Sequence, residues 1–356
     1  MLALQCLVSV QTHTGCTKPY CGCFIPFTDD PLQGVSSISC QSGTSGSQVS
    51  LESINAETGR LLGAALATST WASYNRGVNQ FHQFRQQAGL QHSWPAPIGH
   101  VAAFISHLSL MGLASSTISS HISAVAFVHK INNWPDPSNN FLIQKLREGC
   151  RRQRRTPDIR RPITLDLLGD LCRILGSIAA SELECRLFRS LFTLAYFGFF
   201  RVGEITANSK SADCSRILGI NDVGFEGDDQ SVLLVQLRFS KTDQRGDAVT
   251  LRFHCTPELP LCPVRSILGY LDVRPARSGP LFIHADGSPV TAFQFRHMLK
   301  KSLEALNMPT LGYSGHSFRI GAATSAALDG FSVSEIQTLG RWKSMAVNLY
   351  IRPDKV

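Results

Sequence analysis

Residues 314–356 read SGHSFRIGAATSAALDGFSVSEIQTLGRWKSMAVNLYIRPDKV, and they carry the strongest functional signal in the chain. His316 and Arg319 are three residues apart in a helical pattern, so they share one face of a helix. Trp342 and Tyr350 follow within the same stretch. Imidazole, guanidinium and indole groups donate hydrogen bonds, and a tyrosine hydroxyl can act as a nucleophile. The stretch therefore predicts a site built around an anion.

The composition is that of a globular protein with room for two domains. The chain has 356 residues, of which 43% are hydrophobic and 17% charged. Its longest apolar run, residues 187–200, is interrupted by Arg189 and is shorter than the roughly 20 residues that span a bilayer. We therefore expect no membrane segment.

The cysteines favour a reducing, intracellular compartment. There are 11 of them, an odd number, and beyond the first residues they are scattered through apolar segments. The pairs Cys21/Cys23 and Cys255/Cys262 lack the two-plus-two spacing of a zinc site. We expect unpaired thiols and no metal site.

The first half of the chain changes character near residue 62. Residues 1–62 are rich in Cys, Ser and Gly without a sustained period, and we interpret them as a disordered leader. Residues 63–150 are predicted to form an all-helical domain. Apolar residues recur at three-to-four spacing in four segments: 70–89, 97–112, 115–131 and 139–153.

A basic junction, residues 151–161, follows the helical domain. Between Lys145 and Arg161 there are eight Lys or Arg residues and two acidic ones, a net charge of +6 out of +8 for the whole chain. Two interpretations stay open: a solvated helix end with a linker, or a clamp that neutralises a phosphate backbone. The DNA-contacting candidates are Arg151, Arg152, Arg154 and Arg155.

The second domain, residues 162–356, is predicted to be mainly helical with a β-hairpin. Thr164 can cap its first helix, and residues 231–253 alternate on either side of a turn. Ser332 with Glu335 forms a capping box, and Ser344 can cap the segment that carries Tyr350. The fold class is therefore mainly α with a small antiparallel β-sheet, in two domains.

Four features occur together in the second domain: FFRVGEIT, a basic residue at a hairpin turn, HSFRIGAAT and LGRWKSMAVNLYIR. In this combination the chain resembles the tyrosine recombinase family, which includes phage integrases and XerC/XerD-like enzymes. The motifs HSFRIGAAT and LGRWKS are most similar to those of eukaryotic recombinases of DIRS-type mobile elements. The resemblance covers roughly residues 65–356. It implies a two-domain DNA clamp with a helical core-binding domain and an α+β catalytic domain.

The resemblance also implies the catalytic residues, position by position. They are Arg201, Lys241, His316, Arg319, Trp342 and the nucleophile Tyr350. Two departures from the family pattern remain. The interval from Trp342 to Tyr350 is one residue shorter than in many bacterial relatives, and the usual helix after the tyrosine is reduced to IRPDKV.

The implied reaction is DNA strand cleavage and rejoining through a 3′-phosphotyrosyl intermediate, without metal, ATP or another cofactor. Phenols ionise near pH ~10, so attack at neutral pH needs cationic neighbours and a proton acceptor. Implied partners are double-stranded DNA and three further copies in a homotetramer on two DNA sites. A mobile-element origin would place the protein in the nucleus. Two alternatives are relaxation of DNA like that by type IB topoisomerases, and a domesticated DNA-binding protein without catalysis.

The basic junction generates the first prediction. Changing Arg151, Arg152, Arg154 and Arg155 to Gln should weaken binding to any duplex and flatten its salt dependence, by roughly 0.9 in log–log slope for each phosphate that is no longer neutralised. Sequence preference should stay the same, because phosphate contacts position a protein and base contacts specify the site. Titrations of wild type and variant at several salt concentrations measure the slope. An unchanged slope would favour the solvated linker.

Overall fold

A computed structural model of the chain describes residues 10–12, 50–153, 158–239, 248–256 and 261–356. The chain divides into two compact units. The helical unit holds the described residues 50–153, and the α+β unit holds residues 10–12 and those from 158 onward. Within these described ranges, no helix combines the length and the hydropathy needed to cross a membrane. The predicted domain boundaries and the clamp arrangement stay predictions.

The helical unit contains the four predicted helical segments and one further helix. Its α-helices within residues 50–153 are α1 Leu51–Ala64, α2 Thr68–Gln87, α3 Ile98–Leu110, α4 Ser115–Ile131 and α5 Phe141–Gln153. The core is formed by residues such as Phe81, Phe104, Ile118 and Ile122, all fully buried. Buried apolar residues at three-to-four spacing within one helix, such as Ile118 and Ile122 of α4, explain why periodicity identified α2 to α5.

Helix α1 lies where the sequence predicted part of a disordered leader, and over residues 51–62 that prediction is wrong. Ser50 caps the helix by accepting a hydrogen bond from the Ser53 backbone N–H at 3.1 Å. The indole of Trp71 donates to the Gly63 carbonyl at 2.9 Å and attaches the end of α1 to α2. No residue of α1 is buried. Residues 1–9 and 13–49 lie outside the described residues.

A neutral histidine fixes the chain before α3 and after α4. The backbone N–H of Ala96 donates to Nε2 of His129 at 3.1 Å, so Nδ1 carries the proton and donates to the Pro135 carbonyl at 2.8 Å. Burial lowers the pKa of His129, against smaller opposing effects of Pro135 and Asp136. A protonated His129 could not accept the Ala96 bond.

The α+β unit is built mainly from helices. Within its described residues the α-helices are α6 Leu165–Ile178, α7 Glu182–Phe197, α8 Val202–Ile205, α9 Pro263–Leu271, α10 Ala292–Ala305, α11 Gly315–Leu328 and α12 Val333–Leu339. Short 3₁₀ helices lie at Met345–Leu349 and Pro353–Lys355. The predicted caps Thr164 and Ser332, and the Ser344 cap before the first of these 3₁₀ helices, are confirmed.

The small antiparallel sheet is confirmed. In the described part of the chain its strands are β1 Val10–Thr12, β2 Val223–Glu226, β3 Val232–Leu237 and β4 Val249–His254, in the order β1-β4-β3-β2. The register of β3 and β4 runs from Val232 opposite His254 to Leu237 opposite Val249. This is the predicted hairpin. Its connection, residues 240–247 with Lys241, lies outside the described residues.

Helix α7 is the central element of the α+β unit, with every residue from Leu187 to Phe197 buried except Arg189. Helix α11 packs against α7 and against the chain segment before α6. A Cβ atom on Gly321 of α11 would lie 1.8 Å from the Ile163 carbonyl oxygen, so only glycine permits this approach. The close packing fixes α11, which carries His316 and Arg319.

The buried His129 generates a pH prediction. Its folded-state pKa lies below the unfolded value of ~6.5, so stability is fully present above that pH and is lost as pH falls through ~6.5 toward the folded pKa, by up to about 1.4 kcal/mol per pH unit. Urea titrations followed by tryptophan fluorescence measure it, because Trp71, Trp94 and Trp134 lie in the helical unit.

The matched variants are His129→Asn and His92→Gln, since His92 is an exposed histidine of the same unit. His129→Asn should be less stable but should lose this pH dependence, whereas His92→Gln should keep it. An equal slope in His129→Asn and wild type would contradict the role of His129.

Candidate active site

Arg201 lies at the junction of α7 and α8. It is the N-terminal cap residue of α8, and its backbone N–H donates to the Glu204 carboxylate at 2.9 Å. Its guanidinium Nη1 donates to the other Glu204 oxygen at 2.8 Å. The Arg201 side chain keeps 18% of its surface exposed, whereas that of Glu204 keeps 5%. Glu204 thus fixes both the main chain and the side chain of Arg201.

Helix α11 presents its two predicted residues differently. Ser314 caps the helix, so His316 lies in its first turn and is exposed. Arg319, one turn further along, is fully buried. Its Nη2 donates to the Gly340 carbonyl at 2.9 Å, and its Nη1 donates to the Phe199 carbonyl. The guanidinium therefore joins α11 to the ends of α7 and α12.

Burial, together with the nearby Arg341 and Arg201, lowers the pKa of Arg319 to about 9, and Glu204 and Tyr350 oppose the shift. The guanidinium carbon lies 4.4 Å from the centroid of the Trp342 ring, an arrangement in which the π face stabilises the cation. The Arg319 Nε atom is buried without a hydrogen-bond partner among the described residues. The group thus retains unused donor capacity.

Arg341 is a site residue that the sequence analysis missed. Its side chain donates to the carbonyls of Gly198 at 3.0 Å and Phe199 at 3.3 Å, and its Nη2 lies 3.3 Å from the Glu204 carboxylate. Burial lowers its pKa, and Glu204 opposes that shift. The available signal was an arginine placed directly after Gly340, at the end of a helix.

Glu204 was also missed as a site residue, because its spacing from Arg201 is that of an ordinary helix-surface ion pair. Burial alone would raise the pKa of Glu204, but Arg341 and Arg201 outweigh burial and the pKa is lowered. The carboxylate therefore stays charged. With Arg201, Arg319 and Arg341 around one carboxylate, the cluster keeps an excess of positive charge.

Trp342 and Tyr350 complete the cluster. The Trp342 ring contacts both Arg319 and Tyr350, with 5.0 Å between the Trp342 and Tyr350 ring centroids. The Arg319 guanidinium carbon also lies 5.7 Å from the Tyr350 ring centroid. A Cβ atom on Gly340 would lie 1.6 Å from the Trp342 ring, so glycine is needed for this placement. Tyr350 is half-buried, and its hydroxyl lies 3.5 Å from Nδ1 of His316.

The structure therefore brings together five of the six predicted catalytic residues: Arg201, His316, Arg319, Trp342 and Tyr350. The sixth, Lys241, lies outside the described residues, as do Arg154 and Arg155. Arg151 and Arg152 are exposed at the end of α5 in the helical unit, where Arg152 forms an ion pair with Glu148. Their predicted contact with DNA stays a prediction.

Known proteins are similar to this chain in sequence and in fold. No protein-family model matches the chain. An integrase/recombinase XerD homologue of Selenomonas ruminantium is 23% identical over 321 residues, which cover 86% of this chain and 87% of the relative.

Three solved structures share the fold at low identity. The Tn1549 transposon integrase in complex with circular intermediate DNA has a TM-score of 0.56 and 14% identity, over 83% of this chain and 93% of its own. The XerH site-specific recombinase bound to difH has a TM-score of 0.58 and 13% identity, over 80% and 76%. A lambda integrase dimer bound to a core site has a TM-score of 0.54 and 14% identity, over 83% and 93%.

The chain thus has the fold of the tyrosine recombinases. The sequence relative and the structural matches together support an enzyme of the tyrosine recombinase or integrase type. The particular similarity to DIRS-type recombinases stays a prediction.

The buried carboxylate generates a stability prediction. Glu204→Gln should lower the free energy of unfolding by about 3 kcal/mol or more, because it leaves three clustered arginines without their counter-charge. Urea titrations followed by far-ultraviolet circular dichroism measure the loss. Glu182→Gln is the matched control: Glu182 pairs with Arg186 at 2.6 Å on an exposed surface, where such pairs contribute about 1 kcal/mol or less. Equal losses in the two variants would contradict the role of Glu204.

Proposed function

We propose that this protein is a tyrosine recombinase that cleaves and rejoins DNA strands through a 3′-phosphotyrosyl intermediate on Tyr350. The observation that carries the proposal is the position of the Tyr350 hydroxyl, 3.5 Å from His316 Nδ1 and beside a buried cluster of arginines with excess positive charge. A nucleophile, a proton acceptor and fixed cations are the groups that metal-free attack on a phosphodiester needs.

In the proposed first step the Tyr350 oxygen attacks phosphorus as its proton passes to His316. A tyrosine–phosphorus bond forms and the bond to the 5′ oxygen breaks, so the phosphodiester energy is kept and no ATP is consumed. The departing oxygen needs a proton, and Lys241 is the proposed donor on grounds of sequence alone. The reverse attack by a 5′ hydroxyl of a partner strand reseals the DNA and returns the proton.

The arginines have different parts in this proposal. Arg201 is partly exposed, which favours it for direct contact with a non-bridging phosphate oxygen. Arg319 is buried with its donors on the Phe199 and Gly340 carbonyls. A direct bond from Arg319 to phosphate therefore requires the buried guanidinium to become accessible when DNA binds, either through its unpartnered Nε or by releasing one of these carbonyls. Without that exposure, Arg319 acts through its charge and by holding Trp342.

The proposed substrate is double-stranded DNA, and the proposed assembly is a homotetramer on two DNA sites. The support for DNA comes from the similar structures, which are DNA complexes of an integrase and a recombinase. Location in the nucleus follows only if the chain derives from a eukaryotic mobile element.

The experiment uses random-sequence duplexes with a single nick. Cleavage near the nick releases a short oligonucleotide that carries the 5′ hydroxyl needed for resealing, so the covalent intermediate is trapped. Wild-type protein should form an adduct that survives denaturation, and sequencing of the captured DNA would identify the target. We expect Tyr350→Phe to abolish the adduct and to bind DNA normally, because attack depends on one hydroxyl. Tyr313→Phe, a half-buried tyrosine of the same unit, is the control and should retain the adduct.

Other outcomes identify the alternatives. An adduct of normal yield in Tyr350→Phe would refute the assignment of the nucleophile. DNA binding by wild type without any adduct would favour a protein that has lost catalysis. Relaxation of supercoiled DNA without joining of two sites would favour topoisomerase-like activity. Loss of cleavage in EDTA that magnesium restores would indicate a metal-dependent nuclease.

A further inference from the structure

The chain after Tyr350 turns back onto the beginning of the α+β unit. Arg352 is only 8% exposed. Its Nη1 donates to the Arg160 carbonyl at 3.1 Å, its Nε donates to the Leu349 carbonyl at 3.0 Å, and its Nη2 donates to the Asp158 carboxylate. This buried side chain thus connects segments that are more than 190 residues apart in sequence.

The backbone just after Tyr350 is held as well. The Arg352 N–H donates to Oγ1 of Thr324 at 3.0 Å, and the same hydroxyl donates to the Tyr350 carbonyl at 3.2 Å. Thr324 is a buried residue of α11. The main chain at Tyr350 is therefore attached to the helix that carries His316.

Asp158 is the centre of the second attachment. Besides Arg352, its carboxylate accepts bonds from Arg160 Nε at 2.9 Å and Arg160 Nη2 at 2.6 Å, and its carbonyl accepts one from Lys355. Arg160 and Arg352 hold the pKa of Asp158 well below its usual range. Hydrogen bonds to Asp158 raise the pKa of Arg160, and the nearby Tyr350 contributes in the same direction.

The segment that contains Asp158 is itself fixed on α11. Arg161 N–H donates to the Gly312 carbonyl at 2.9 Å, and Ile163 N–H donates to the Ser317 carbonyl at 3.0 Å. The first contact lies just before α11 and the second in its first turn, next to His316. Asp158 therefore links the Tyr350 segment to the N-terminal end of α11. Because His316 lies at that end, this link helps to set the distance from His316 to Tyr350.

We propose that Asp158 is a positioning residue for Tyr350: through Arg352 it holds the Tyr350 segment against α11. The catalytic consequence rests on the proposed function. Asp158 is 42% exposed, and exposed ion pairs by themselves contribute little. Its partner Arg352 is buried, however, so removing the carboxylate leaves a buried cation without its counter-charge.

The test compares Asp158→Asn, Arg352→Gln and the double variant in the full chain. Asp170→Asn is the matched control, because Asp170 pairs with Arg173 at 2.6 Å on an exposed part of α6. Hydrogen exchange followed by mass spectrometry measures the peptide that covers residues 343–356. Adduct formation at saturating nicked duplex, duplex affinity and melting temperature complete the set.

We expect Asp158→Asn to speed exchange of that peptide by ~10-fold or more, through local opening. Adduct formation should slow by ~10- to 100-fold at saturating DNA, since small displacements of a reacting group cost rates of this order. Duplex affinity should stay within about twofold, because phosphate contacts elsewhere dominate it. The double variant should be no slower than the slower single variant, because the same ion pair is broken in each case. Asp158→Glu should restore part of the rate, and Asp170→Asn should match wild type throughout.

Unchanged exchange in Asp158→Asn would overturn the proposal, as would faster exchange with an unchanged rate of adduct formation. Additive effects in the double variant would show that Asp158 and Arg352 act separately, which also contradicts it. If wild type forms no adduct at all, the proposed function fails, and the exchange measurement still decides whether Asp158 holds the Tyr350 segment.

Discussion

The buried guanidinium of Arg319 is the interaction on which the α+β unit's site depends. It reaches from α11 to the Phe199 carbonyl after α7 and to the Gly340 carbonyl at the end of α12. The last carbonyls of a helix have no partner within the helix and carry partial negative charge, which favours a cation. Arg341 likewise donates to carbonyls after a helix end, those of Gly198 and Phe199. Two helix ends and one carboxylate thus compensate for burying positive charge, and removal of Arg319 would separate three elements at once.

The local backbone is adapted to this arrangement. Phe199 and Arg341 each follow a helix end and adopt φ values of 50° and 57°, a left-handed conformation that non-glycine residues rarely take. At Phe199 this conformation accompanies a carbonyl that accepts bonds from both buried arginines. Glycine would adopt it at lower cost, but glycine could supply neither the Phe199 ring that packs against Trp342 nor the Arg341 charge. Strain of this kind is found where a functional arrangement over-determines the backbone.

Local signals in the sequence predicted much of the fold, and long-range pairing explains what they missed. Helices with a buried stripe, the hairpin and the caps at Thr164 and Ser332 were predicted correctly, because each depends on residues a few positions apart. Helix α1 was missed because the Ser- and Gly-rich composition of the residues before it was taken to continue through residue 62. In the site, the Arg201–Glu204 pair is visible in the sequence, but the second partner of Glu204, Arg341, is 137 residues away. Without the fold, nothing in the sequence assigns Arg352 to Asp158.

The burial of the site residues follows the role that each group has in the proposed reaction. A fixed charge gains effect from a low-dielectric setting, and Arg319 and Arg341 are buried. A proton acceptor and a nucleophile must reach the substrate, and His316 is exposed while Tyr350 is half-buried. Arg201 is intermediate, held by Glu204 but partly open to solvent. The rigid interior can therefore set the electrostatic potential before DNA arrives, and only the groups at its surface need to move when it does.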